Sequence, residues 1–275
     1  MKLYKKGDDS SYTLGVFPTI ELLEHKPDIV KRVVVHSSIE ENRGYPKIKE
    51  LCALHHIPID VHDATINKLS PKSNCYAIGV FKTFYEPLQK GNHIVLVNPM
   101  DMGNMGTIMR TMLGFGYQDL AIIRPAVDIF NPHVVRSSMG ALFSLRIHYY
   151  ESIDEYLKEF GDHQCYPFML KGAKNIHQVK PVTPHSLIFG NESSGLDDIY
   201  MTYGQSVFIP HTNAIVFNST IEWIINWCKN KYTLLFFSIS FYCKMKGSDN
   251  TRCRNDPVFF NMEIMSTFHP SYNTF

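Results

Sequence analysis

Hydrophobic positions along the chain alternate between helical and strand-like spacing, and Pro or Gly breaks the pattern at short intervals. Ile20, Leu22 and Leu23 predict a short helix that Pro27 limits, because a proline disfavours helical backbone in the residue before it. Val33-Val34-Val35 is a β-branched run suited to a buried strand. Ile48, Leu51, Cys52 and His55 return to helical spacing, Ile57 to Val61 alternates as a strand does, and Ala77 to Phe81 predicts one more strand. Residues 1–90 therefore read as a small α/β domain, with Glu86 to Gly91 as the link to the next one.

From Asn92 to about Asn218 the order strand, loop, helix repeats. His93 to Val97 predicts a strand, Asn98 to Gly106 a polar loop, Thr107 to Leu113 a short helix closed by Gly114 and Gly116, and Leu120 to Ile123 the next strand. That is a βαβ unit, which implies parallel strands. Asn131-Pro132 supplies an N-cap and a first-turn proline for a helix through Ser138. Ser152 and Glu155 form a capping box ahead of Tyr156, Leu157 and Phe160. Phe168 to Leu170, Leu187 to Phe189 and Val207 to Ile209 predict further buried strands. Beyond Ser219, the residues Ile221, Ile224, Ile225 and Cys228 mark one face of an amphipathic helix, and an aromatic run from Tyr232 to Tyr242 follows. Residues 244–275 are polar and unpatterned, and are expected to be a poorly ordered tail.

Composition narrows the class. The 275 residues carry 27 Lys+Arg against 26 Asp+Glu, a net charge of +1, which argues against a histone-like binder and leaves only local basic surfaces. A hydrophobic content of 44% excludes a disordered chain. Six cysteines without a CxxC pair, and a start unlike a secretory signal, read as free thiols in a reducing compartment. The longest apolar run, Thr233 to Cys243, is too short for a bilayer. The expectation is a cytoplasmic protein without membrane contact.

Three segments carry candidate chemistry. In the first, the loop Asn98 to Gly106 leaves a strand and enters the helix that bears Arg110. Arginine stays charged and presents a fork of donors, which suits a phosphate or ribose-phosphate; a plain surface arginine fits the same spacing. A dinucleotide loop is a poor match, because no GxGxxG joins strand to helix. In the second segment, Leu187 to Leu196, a strand runs into a turn with Gly190, Glu192 and Gly195, where backbone can approach a ligand closely. In the third, Phe208-Ile209-Pro210 leads to Asn218, an N-cap or an active-site amide. Cys52 with His55 and His56 has no second ligand pair at zinc spacing, so no metal is expected. Lys31, Arg32, Lys47 and Lys49 form either a basic side facing nucleic acid or a solvated face.

In order and spacing, the three segments together resemble the SpoU-type 2′-O-ribose RNA methyltransferases of the SPOUT superfamily. Asn104, Gly106, Arg110 and Thr111 match the family's Asn-x-Gly-x-x-x-Arg-Thr motif, and Phe189, Gly190, Glu192, Gly195 and Leu196 match Phe-Gly-x-Glu-x-x-Gly-Leu in full. Arg136 to Ala141 is similar to an intermediate Arg-x-Ser-x-Gly stretch, and residues 12–90 resemble an L30e-like RNA-binding domain. The third motif departs from the family: Val216-Phe217 replaces Ser-Leu before Asn218, and Ile221, Trp223 and Trp227 stand where small residues are usual. The resemblance implies an L30e-like substrate-binding domain over 1–90 and a parallel-sheet α/β trefoil-knot domain over 91–243. The similarity itself ends near 218. It further implies S-adenosylmethionine as cofactor, rRNA or tRNA as substrate, and a homodimer. Arg110, Asn104, Glu192 and Asn218 are the catalytic residues so implied. Met169, Leu170, Gly172, Phe189, Gly190, Asn191, Gly195, Leu196, Phe208 and Ile209 would hold the cofactor. The alternative is an RNA-binding protein of the same fold whose altered third motif has impaired catalysis.

Overall fold

A computed structural model describes residues 2–70 and 74–209, all within one compact unit of the chain. The third motif from Pro210 onward, Asn218, the helix expected over 221–228 and the tail 244–275 lie outside the described residues.

The first module contains β1 (Ser10–Tyr12), α1 (Val16–His25), β2 (Val30–Val35), α2 (Tyr45–Leu54), β3 (Ile59–Val61), α3 (Asp63–Leu69) and β4 (Ala77–Lys82). Its sheet runs β1-β4-β2-β3, antiparallel except for the β2–β3 pair. Val33, Val34 and Val35 are buried on both faces, as a β-branched run in a covered central strand should be. Leu23, Ile48, Leu51 and Cys52 of α1 and α2 close over one face, while Ile66 and Leu69 of α3 close over the other with Ile78. The pair His62-Asp63, at the end of β3, starts α3: the His62 Nδ1 accepts from the Thr65 N–H at 3.1 Å.

The second module contains β5 (His93–Val97), α4 (Met102–Gly114), β6 (Asp119–Ile123), α5 (Pro132–Ser137), β7 (Arg146–Tyr150), α6 (Ile153–Glu159), β8 (Gln164–Pro167), β9 (Lys174–Asn175), β10 (His185–Phe189) and β11 (Val207–Phe208). Five strands form a wholly parallel sheet in the order β7-β6-β5-β10-β8, with β9 and β11 pairing beyond it. The predicted N-caps of α5 and α6 form: Asn131 accepts from the His133 N–H at 2.9 Å and Ser152 from the Glu155 N–H at 3.1 Å, while the Glu155 carboxylate of the expected capping box accepts from the Glu151 N–H at 2.7 Å.

Two elements differ from expectation. The predicted loop 98–106 ends early, because the Asp101 carboxylate accepts from the Asn104 N–H at 2.6 Å and starts α4 at Met102. The strand expected at Phe168 to Leu170 lies at Gln164–Pro167; Phe168 makes only an isolated bridge to Val207, and Leu170 is 72% exposed.

The link between modules is pinned. Leu88 is buried in the core formed with Val95, Ala121 and Ile188. The Gln89 N–H donates to the Asp119 carboxylate at 2.9 Å, and Arg146 grips the same carboxylate through Nε at 2.7 Å and Nη2 at 2.6 Å. Across the junction Phe81 meets Phe130 and Phe143 edge-on at 6.3 and 5.2 Å between ring centroids.

Candidate active site

Strand order locates the site before any side chain is considered. From β5 the chain moves outward through β6 and β7, then returns to the far edge at β8 and fills the gap with β10. The order therefore reverses between β5 and β10, and the crevice above the carboxyl ends of those strands is where open parallel sheets bind ligands. The first two sequence motifs leave these two strands.

The two turns are joined across that crevice. Asn98 follows β5 with a left-handed φ of 52°, and its carbonyl accepts from the Asn191 side-chain amide at 2.7 Å. The Glu192 carboxylate accepts from the Met100 N–H and the Asp101 N–H, each at 3.4 Å. Asn191 organises its own turn as well: its Oδ1 accepts from the Ser193 N–H at 2.9 Å, and its backbone exchanges hydrogen bonds with Gly195 at 3.2 and 2.9 Å.

The glycines of the second turn are required by two different constraints. A Cβ on Gly190 would stand 2.2 Å from the Gly195 carbonyl carbon and 2.5 Å from the Leu196 nitrogen. Gly195 has a φ of +71°, and open space lies where its Cβ would be. Next to this turn, Phe189 stacks on Phe168 with centroids 4.6 Å apart. Met169 donates its N–H to the Val207 carbonyl at 2.9 Å, and Gly172 packs so closely on Val207 that a Cβ would lie 2.3 Å from its carbonyl carbon. Thus Met169, Gly172, Phe189, Gly190, Asn191, Gly195, Leu196 and Phe208 sit at adjoining strand ends and the turns that follow them. Leu170 is exposed beside them, and Ile209 continues β11.

Arg110 and Asn104 both lie on α4 rather than one in the loop and one on the helix. Six helical positions separate them by about 240° of rotation and about 9 Å of rise, so they occupy different faces. Arg110 is exposed, with its Nη2 3.5 Å from Thr107 Oγ1; partial burial lowers its pKa from the ordinary arginine value while leaving it charged. Among the described residues neither side chain bonds to Glu192, and no carboxylate pairs with Arg110. Gly106 is where α4 meets α5: a Cβ there would lie 2.0 Å from Ser137 Oγ. The Ser137 hydroxyl also donates to the Met102 carbonyl at 3.1 Å, tying the intermediate motif to the first.

Sequence reasoning missed Asn98, Asp101 and Ser137. Of these only Asp101, three residues ahead of Asn104, offered a local signal, the spacing of an N-cap. Of the two readings of Lys31, Arg32, Lys47 and Lys49, the ion pairs favour the solvated face. Lys31 faces Asp9 at 3.9 Å, Arg32 faces Asp60 at 3.4 Å, Lys47 faces Glu24 and Glu50 at 3.7 and 3.6 Å, and Lys49 faces Glu40 at 3.7 Å.

A parallel sheet whose strand order reverses beside a glycine-lined turn defines an α/β protein of the open-sheet, ligand-binding class. The chain belongs to the SpoU rRNA Methylase family, whose family model matches residues 91–233. It is similar to a 23S rRNA (uridine(2479)-2′-O)-methyltransferase of Streptomyces viridochromogenes, 28% identical over 40% of this chain and 40% of that one. It is also similar to the tRNA (cytidine-2′-O-)-methyltransferase TrmJ of Methanocaldococcus jannaschii, 27% identical over 38% of this chain and 50% of that one. The chain thus spans half or less of the length of these two relatives. The crystal structure of the SpoU methyltransferase AviRb from Streptomyces viridochromogenes with AdoMet superposes with a TM-score of 0.68. That match is 19% identical and covers 81% of this chain and 91% of that one. The likeness extends over both modules and establishes a SPOUT-type α/β fold. Among the described residues no helix is long and apolar enough to cross a membrane.

Proposed function

We propose that the chain transfers a methyl group from S-adenosylmethionine to a ribose 2′-hydroxyl of rRNA or tRNA, as a cytoplasmic homodimer. The observation that carries this reading is the joining of the two motif turns at the switch point, through Asn191 to Asn98 and Glu192 to the Met100 and Asp101 amides. The cradle fits an adenosine-bearing cofactor: the open face of Gly195 exposes backbone, and Met169, Phe189 and Phe208 supply apolar walls.

When bound, S-adenosylmethionine supplies an electrophilic methyl group on its sulfonium. The chain's own residues bind, align and adjust charge. Backbone and apolar contacts from Met169, Leu170, Gly172, Phe189, Gly190, Asn191, Gly195, Leu196, Phe208 and Ile209 hold the cofactor. Arg110 takes the phosphate beside the target ribose in its planar fork, and its charge favours loss of the 2′-hydroxyl proton to solvent water as the methyl group arrives. Glu192 fixes the turn after β5 rather than meeting the substrate, and Asn104 contacts the ribose from the first turn of α4. Asn218 completes the site. Residues 1–90 form the substrate-binding domain and 91–243 the catalytic one. The exposed Met100, Met102 and Met139 beside α4 support a dimer, since a second copy would cover them. The free, buried Cys52, Cys75 and Cys165 support a reducing compartment.

The test is transfer of radiolabelled methyl from S-adenosylmethionine to bulk tRNA and rRNA, followed by alkaline hydrolysis. A 2′-O-methyl group blocks cleavage, so label must appear in alkali-resistant dinucleotides; label released as single nucleotides would sink the reading. One observation favours a second reading, Val216-Phe217 where the family carries Ser-Leu. An impaired RNA-binding protein would bind tRNA or rRNA without transferring methyl groups.

A further inference from the structure

We propose that the segment from Lys171 to Lys180 is a contact surface for the RNA phosphate backbone, beside the cofactor cradle; this rests on the RNA reading above. No Asp or Glu stands between Asp162 and Glu192, while Lys171, Lys174 and Lys180 all fall in that interval. All three lysines are exposed, and no carboxylate among the described residues pairs with any of them. Lys31, Arg32, Lys47 and Lys49 of the first module, in contrast, each face a carboxylate within 4 Å. With a net charge of only +1, the chain attracts a polyanion where its cations are left uncompensated.

The scaffold beneath these lysines is built rather than loose. The Ala173 N–H donates to Ser206 Oγ at 3.0 Å, Lys174 lies on β9 paired with β11, and Ile176 is buried. The Asn175 Oδ1 accepts from the His177 N–H at 3.0 Å and sets the turn that leads to Lys180. The segment leaves the sheet at Met169 and Gly172, which the proposed function assigns to the cofactor, so a strand held here has its riboses beside the methyl donor. Ordered lysines give phosphate contacts that position RNA without reading its sequence.

The experiment compares the full chain with the triple variant Lys171→Gln, Lys174→Gln, Lys180→Gln, by anisotropy of fluorescein-labelled bulk tRNA across a salt series. The control is Lys47→Gln with Lys49→Gln. The triple variant is expected to lose at least about tenfold in affinity near 0.1 M salt, and its log-log salt slope is expected to fall by about 2. The control should stay within about twofold of the parent, and S-adenosylmethionine binding by calorimetry should be unchanged in both. Parental affinity and slope in the triple variant would overturn the proposal while leaving the RNA reading intact, as would an equal loss in the control. A parent chain that binds phosphatidylserine vesicles but no RNA would overturn both.

Discussion

The Asn191 side-chain amide donates to the Asn98 carbonyl oxygen across 2.7 Å, and this bond joins the turn after β10 to the turn after β5. Asn98 sits at a φ of 52°, a conformation asparagine tolerates better than most residues, with its N–H held by the Ile123 carbonyl at 3.0 Å. Asn191→Ala removes this bond and the three that the Asn191 Oδ1 accepts from Ser193 and Ser194. The expected cost is about 1–3 kcal/mol of stability, together with at least about tenfold weaker S-adenosylmethionine binding. Thermal melts and calorimetric titration measure both, and unchanged cofactor affinity would detach Asn191 from the site.

Gly190 and Gly114 make a matched pair. A Cβ at 190 meets backbone at 2.2 to 2.5 Å, and backbone cannot swing aside as a flexible side chain can. A Cβ at 114 meets nothing within 4 Å and ends an exposed helix turn. Gly190→Ala is expected to destabilise the chain by about 2 kcal/mol or more and to abolish cofactor binding. Gly114→Ala is expected to be neutral or to stabilise by up to about 1 kcal/mol. Urea titrations of the two variants give the comparison, and equal effects would mean that the close approach at 190 is not constraining.

What was legible beforehand follows the range of each interaction. The buried strands β2, β5, β6 and β10 announce themselves as β-branched or apolar runs, and the caps Asn131 and Ser152 act within three residues of themselves. β7 escaped because Arg146-Ile147-His148-Tyr149-Tyr150 is an edge strand with only Ile147 and Tyr150 buried, and α3 escaped because a histidine provides its cap. β1 has three residues and no pattern to read. Family resemblance brought the motif residues to notice, but not their partners. The bonds from Met100 and Asp101 to Glu192 span 92 and 91 positions, and no local spacing encodes them. The lysines of the first module were legible as charges, while the carboxylates neutralising Lys31 and Arg32 come from other strands or loops in space.

Arg110→Ala is expected to lower methyl transfer at least about a hundredfold while changing S-adenosylmethionine affinity by less than about threefold. The split follows from its position on α4, exposed and without a carboxylate partner among the described residues. Arg110→Lys should recover little of the loss, because an ammonium does not reproduce the two-pronged guanidinium. Single-turnover rates alongside calorimetry separate the two effects. Near-parental transfer by the lysine variant would show that charge alone suffices at this position.

The amino ends of β5 and β8 hold a buried histidine pair whose titration sets an acid limit on stability. His93 and His163 lie with ring centroids 4.5 Å apart; His163 Nδ1 is 2.9 Å from Ser186 Oγ, and His93 Nδ1 is 2.9 Å from the Tyr156 hydroxyl. Burial first, and the neighbouring His93 second, push the His163 imidazole down to about 4, and burial lowers His93 as well. The native pair is therefore neutral where the unfolded chain, with histidines near 6.5, already binds protons. Its contribution is fully present above pH about 6.5 and is lost as pH falls from there through about 4, amounting to about 3 kcal/mol for His163 alone. Urea unfolding at pH 7.5 and 4.5 should show this loss in the parent chain. His163→Gln, less stable at pH 7.5, should lose about 2 to 3 kcal/mol less over the same interval. An identical pH dependence in the two proteins would assign the acid sensitivity to carboxylates instead of to this buried pair.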